Sequence, residues 1–166
     1  MSTGPRATIT VSGKLWDANK RAVKDFQKAY VEVGVFESET EKDGTPMAMI
    51  ASVHEYGAEI RQKRGTLIIP ERSFLRSWVE SASENTNKLM QKLYNDVASG
   101  KTNVVDAMKK LGAYASSGIR KQILDGDFVP NAPSTIAAKG SDKPLIDTGQ
   151  LMNSIHYRVG KGEGAQ

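Results

Sequence analysis

The sequence predicts an α+β protein: a small mixed or antiparallel sheet with two long antiparallel helices, short helices and a long C-terminal loop. Three observations predict it. Two stretches of helical apolar spacing, about 73–98 and 102–124, follow one another across a link of three residues, 99–101, and so short a link makes the two helices antiparallel neighbours. Short β-branched runs recur at Ala7–Val11, Val31–Phe36, around Leu67-Ile68-Ile69 and after Ser154, the composition of strands. Residues 125–146 hold three prolines and few large apolar side chains, the mark of a loop that is functional or unstructured. At 166 residues one domain is expected over 1–166, with 1–6 and 160–166 as mobile tails and 125–146 as an extended loop.

The elements can be read in chain order. Ile9 and Val11 alternate with Thr8 and Thr10, a short strand. From Lys14 to Tyr30, Leu15, Ala18, Ala22, Phe26 and Tyr30 keep helical spacing. Val31 to Phe36 reads as a strand with a close backbone approach at Gly34, and the acidic stretch 37–44 as a loop. Thr45-Pro46 opens a helix, Thr as N-cap and Pro at the first position, and Gly57 closes it as a left-handed cap. Residues 59–70 read as a hairpin turning near Arg64-Gly65.

In the first long helix Phe74, Leu75, Trp78, Val79, Ala82, Leu89, Leu93 and Val97 are expected inside. In the second, capped by Thr102, the inward stripe is Val104, Val105, Met108, Leu111, Ala115, Ile119 and Ile123. The small residues Gly112, Ala115 and Ser116 leave room for another backbone. Ser134 to Ala138 reads as one helical turn. Asp147 and Gln150 fit a capping box, and Leu151, Ile155, Tyr157 and Val159 mark an apolar face leading into a last strand.

Composition narrows the classes of function. There are no cysteines, so disulfides and thiolate metal sites are excluded. No apolar run approaches the roughly 20 residues that span a bilayer, and the first residues do not form a secretory signal, so no membrane partner is expected. The net charge of +4 permits contact with an anionic partner without requiring it. Charges alternate in sign along most of the chain, and the one local basic excess is Arg61, Lys63 and Arg64 at the hairpin tip.

Four motifs stand in fixed order: Val33-Gly34-Val35-Phe36; Ile50 to Ala58 with His54-Glu55-Tyr56-Gly57; Ile69-Pro70-Glu71-Arg72-Ser73-Phe74; and Pro130-Asn131-Ala132-Pro133 leading to Pro144-Leu145-Ile146-Asp147-Thr148-Gly149-Gln150-Leu151. From about Leu15 to Val159 the chain resembles the neck and tail-completion proteins of tailed bacteriophages. These are the HK97-type tail-component and Mu-type virion-morphogenesis families, related in pattern to the minor tail protein Z group; Ser73 stands where they more often carry Pro.

The resemblance implies a virion protein, assembled in the infected bacterial cytoplasm into a ring at the head–tail joint. Six copies are expected, with twelve as the alternative. The implied partners are the connector or head-closure ring on one side and the tail terminator or tube on the other. DNA passes through such a ring without being read. Tail terminator or head-closure protein is a second assignment, and a non-specific DNA-binding packaging factor a more distant one.

Pro130, Pro133, Thr135, Lys139, Pro144 and Leu145 are the candidate assembly contacts, because long loops reach onto neighbours. Arg61, Lys63 and Arg64 are candidates for the lumen or a ring contact, since cations beside phosphates attract without reading sequence. Glu55, Tyr56 and Gly57 read as helix end and core. Pro70, Arg72 and Phe74 read as a strand-to-helix junction, with Phe74 buried and Arg72 paired to Glu55 or Asp147. Asp147, Thr148 and Gly149 set the start of the last short helix. No catalytic, cofactor or metal residue is assigned. Two histidines, His54 and His156, fit no metal or triad motif.

Overall fold

The computed structural model describes residues 13–36, 40, 44–63 and 65–162. Its elements are α1 (Gly13–Lys28), β1 (Ala29–Val35), α2 (Met47–Tyr56), β2 (Ala58–Gln62), β3 (Gly65–Ile69), α3 (Phe74–Ala98), α4 (Val104–Asp125), α5 (Pro133–Lys139), α6 (Gln150–Asn153) and β4 (Ile155–Lys161). The fold is α+β, as the sequence predicts. The strands form two antiparallel pairs, β1 with β4 and β2 with β3. The strand expected at Ala7–Val11 lies outside the described residues.

The long helices are antiparallel. Trp78, early in α3, packs at a tilt against Tyr114, while Leu93 and Val97 meet Ala107 and Met108 at the opposite end. The β1–β4 ribbon lies across α4 on the small-residue patch, where a Cβ on Gly112 would stand 2.3 Å from the Tyr157 ring. Gly112 therefore admits a strand's aromatic side chain, the close approach its size allows.

Two apolar clusters fill the ends of the helical pair. One joins Met47, Ala51, Phe74, Ile119, Ile123, Leu145, Leu151 and Ile155. The other joins Phe26 of α1 to Leu93, Val97, Ala107 and Met108. Val79 and Val105 are more than half exposed; they fall off the arc each helix buries, since a stripe wider than its partner leaves its margins in water.

Several boundaries move for tertiary reasons. Ala29 and Tyr30, read as helix, pair with Lys161 and Gly160. Gly160 and Lys161, read as tail, are correspondingly strand, and Gly162 N–H donates to the Lys28 carbonyl at 2.9 Å. A long-range ladder here overrides local helical spacing. Asn103, not Thr102, caps α4: its side chain accepts from Asp106 N–H at 2.9 Å. Pro46 occupies the N-cap of α2 with no side-chain bond, and Gly57, at φ 72 and ψ 169, turns the chain into β2 rather than forming a left-handed cap.

Candidate assembly site

The region that sequence motifs single out is one connected structure at the N-terminal end of α3. It begins with Gly57. A Cβ there would lie 3.0 Å from both Glu71 N and Ile69 O at a φ of +72, so glycine is required by shape and by conformation. The chain leaves α2 through it, runs out along β2, returns along β3 and passes Pro70. Arg72 N–H then closes the base of the hairpin on the His54 carbonyl at 2.7 Å.

Glu55 fixes the start of α3. Its buried carboxylate accepts from Ser73 Oγ at 2.7 Å, from Leu75 N–H at 2.9 Å and from Arg76 N–H at 3.0 Å. The two amides are orphan donors of a helix start, and Glu55, from another helix, serves as the cap that Ser73 itself does not supply. Negative charge at a helix N-terminus also meets the positive end of its dipole. Ser73 thus contributes a hydroxyl donor that a proline would lack.

Arg72 does not pair with Glu55 or Asp147. Its Nε donates to the Val129 carbonyl at 2.8 Å and Nη2 to the Pro130 carbonyl at 3.1 Å, so its planar fork reads backbone. Burial lowers the guanidinium pKa from its usual value, and the group stays charged because it starts so high. This clamp holds the root of the segment read as an extended loop. The other root is held by buried Asn131, whose Nδ2 donates to the Lys143 carbonyl at 3.1 Å. Between them α5 forms under Pro133 and ends at left-handed Gly140. Residues 125–146 are consequently a tethered lobe containing a helix.

Leu145 changes role. It is buried in the core at a φ of 61, a conformation costing a leucine about 1–2 kcal/mol, which its burial in the cluster offsets. It anchors the lobe from within and cannot be a contact for a partner. The capping box is also absent. Gly149, at φ 78, is the N-cap of α6 without a side-chain bond. Thr148 Oγ1 accepts from Gln150 N–H, and Gln150 Nε2 reaches the Thr40 carbonyl at 2.9 Å. Asp147 stays exposed.

Hairpin, lobe and α2 enclose a cleft of about 580 Å³, lined among others by Ile50, Leu67, Ile69, Pro130, Ala132, Thr135 and Asp147. Of the expected contacts, Pro130 and Pro133 are exposed on the lobe, and Thr135 and Pro144 are half-buried. The side chain of Lys139, last in α5, is not described. Tyr56, expected in the core, is 71% exposed, because α2 buries Met47, Ala51 and Glu55 on its other side. Phe74 is fully buried. Arg61 and Lys63 are exposed near the hairpin tip, and Arg64 lies outside the described residues.

The hairpin carries a feature that the sequence did not disclose. Among the described residues its strands pair only with each other, and Ile60, Leu67 and Ile68 are 43%, 45% and 67% exposed. Ile60 stands opposite Leu67, while Ile68 stands opposite Glu59, so apolar side chains emerge on both faces. Three apolar residues in a row ordinarily signal a strand covered on both sides; here Ile69 is half-buried, while no described element covers Ile60, Leu67 and Ile68 enough to bury them. Among the described residues no group of three His, Cys, Asp or Glu side chains could hold a metal ion, and no helix is long and apolar enough to cross a membrane.

No family model, curated protein or solved structure matches the chain.

Proposed function

We propose that this chain is a structural subunit of the head–tail joint of a tailed bacteriophage, closing into a ring, of six copies, around the DNA channel. The observation that carries the reading is the β2–β3 hairpin. A two-stranded hairpin is at best marginally stable in water, and this one holds Ile60, Leu67 and Ile68 in solvent. An apolar projection beside a cleft is the form of an interface awaiting its partner. The ordered motifs agree with this: Glu55, Gly57, Pro70 and Arg72 serve to aim the hairpin and to tether the lobe. A hairpin on one flank meeting a different surface on the next copy makes a heterologous contact, the kind that closes into rings.

The test is native mass measurement and electron microscopy of the purified chain alone and with heads and tails. The wild type is expected to form a closed ring or to join heads to tails. A chain that stays monomeric in both settings overturns the proposal. Leu67→Asp with Ile68→Asp is expected to stop assembly while melting within about 0.5 kcal/mol of wild type, as surface substitutions do.

A further inference from the structure

We propose that the exposed face of α1 is a binding surface for the phosphate backbone of duplex DNA. In the sequence this helix carries four lysines and one arginine against two acids, Asp17 and Asp25. The fold sorts the charges. Asp17 is paired to Lys20 at 3.1 Å within the helix, and Asp25 to Lys161 of β4 at 2.7 Å. Arg21, Lys24 and Lys28 form no ion pair among the described residues, and Arg21 and Lys24 are exposed. Arg21, Lys24 and Lys28 stand at i, i+3 and i+7 of the helix, the spacing that puts residues on one face, so they form a row. The row is held in place because Phe26, on the opposite side of α1, packs edge-on against Tyr94 of α3 at 5.6 Å.

The same fact chooses between anionic partners. A basic helix binds a bilayer by inserting its apolar face. In α1 the apolar residues nearest the core are taken: Phe26 is buried and Ala22 packs with it against α3 and α4. What remains outside is mostly charge, with one aromatic, Trp16, whose ring lies 5.6 Å from Lys20 Nζ. Such a surface can pair with phosphates, and among the described residues no groove-reading element accompanies it to read bases. The hairpin, with apolar Ile60, Leu67 and Ile68 beside Arg61 and Lys63, has the composition of a protein contact instead. The inference deepens the ring reading by giving the channel its lining; the binding itself does not require the ring.

The experiment measures binding of the full chain to two labelled 20-base-pair duplexes of unrelated sequence by fluorescence anisotropy. It runs below the concentration at which copies associate, and again in Leu67→Asp/Ile68→Asp. Equal affinity for both duplexes is expected, weakening about 40-fold between 50 and 200 mM salt if three phosphates are neutralised. Arg21→Glu/Lys24→Glu/Lys28→Glu should lower affinity at 50 mM at least tenfold. The milder Arg21→Gln/Lys24→Gln should lower it severalfold with the melting temperature kept. Arg61→Glu/Lys63→Glu should leave it unchanged.

No binding at 50 mM salt, wild-type binding by the α1 variants, or loss in the hairpin variant overturns the proposal. So does capture by vesicles of anionic lipid without affinity for duplex. Failure to form rings with DNA binding intact overturns only the assembly reading.

Discussion

Glu55 shows how much one side chain can decide. It receives three donors from the start of α3, so Glu55→Ala should cost about 3 kcal/mol by leaving them unpaired in a buried place. Glu55→Gln keeps an acceptor and should cost about half as much. Chemical denaturation of the two variants checks the order, and an equal loss would mean that the charge alone matters. Arg72 makes a different prediction. Its fork grips two backbone carbonyls of the lobe, so Arg72→Ala should speed proteolysis within 125–146 more than it lowers global stability. Arg72→Lys should not restore protection, because a single ammonium cannot span both carbonyls. Cleavage at the wild-type rate in Arg72→Ala would remove the clamp from the account. Both residues were visible in the sequence as motif members. Their partners were not, since Glu55 and Ser73 are 18 positions apart and Arg72 and Val129 are 57.

At the level of elements, periodicity located nearly every helix and strand among the described residues, and it misjudged what covers them. Helical spacing in α3 and α4 reports a stripe, but the width of the buried arc depends on the neighbour, which is why Val79 and Val105 face water. Gly112 is the reverse case, a small residue whose purpose becomes visible only when the β1–β4 ribbon lies on it. Gly112→Val adds side-chain volume where even a Cβ would stand 2.3 Å from Tyr157. It should cost about 2–3 kcal/mol by overpacking and displace β4, seen as faster amide exchange from Ile155 to Lys161. Unchanged exchange would place the ribbon elsewhere.

The ion pair of Asp25 with Lys161 joins α1 to β4, and that of Asp125 with Lys121 steadies the end of α4. Hydrogen bonds from these lysines hold both carboxyls below their usual 3.8. A lowered carboxyl adds stability above its unfolded value and loses it as pH falls through the lower folded one. The melting temperature should therefore drop below about pH 4. Both groups are exposed, so the part of the drop that these pairs supply should shrink in high salt.

For the whole molecule, the pairing of β1 with β4 joins an early element to the last one. No local pattern announces such a pairing, because each strand carries only its own alternation and the register is set by which side chains reach α4. The lobe was equally hidden: its prolines and glycines read as an open loop, and two buried tethers make it a fixed wall of the cleft. The sequence by itself determined the fold class, the antiparallel pair of long helices, the hairpin and the order of the motifs. These come from local spacing, turn residues and chain length, all written along the chain. Only the tertiary structure decided that Leu145 is core, that Glu55 caps a helix it does not belong to, and that the hairpin leaves Ile60, Leu67 and Ile68 exposed among the described residues. It also drew Asp25 away from the cations of α1 into a pair with Lys161 of β4. The physical reason is the same each time: burial and pairing depend on which distant residues arrive, and a single sequence records the residues without recording the encounter.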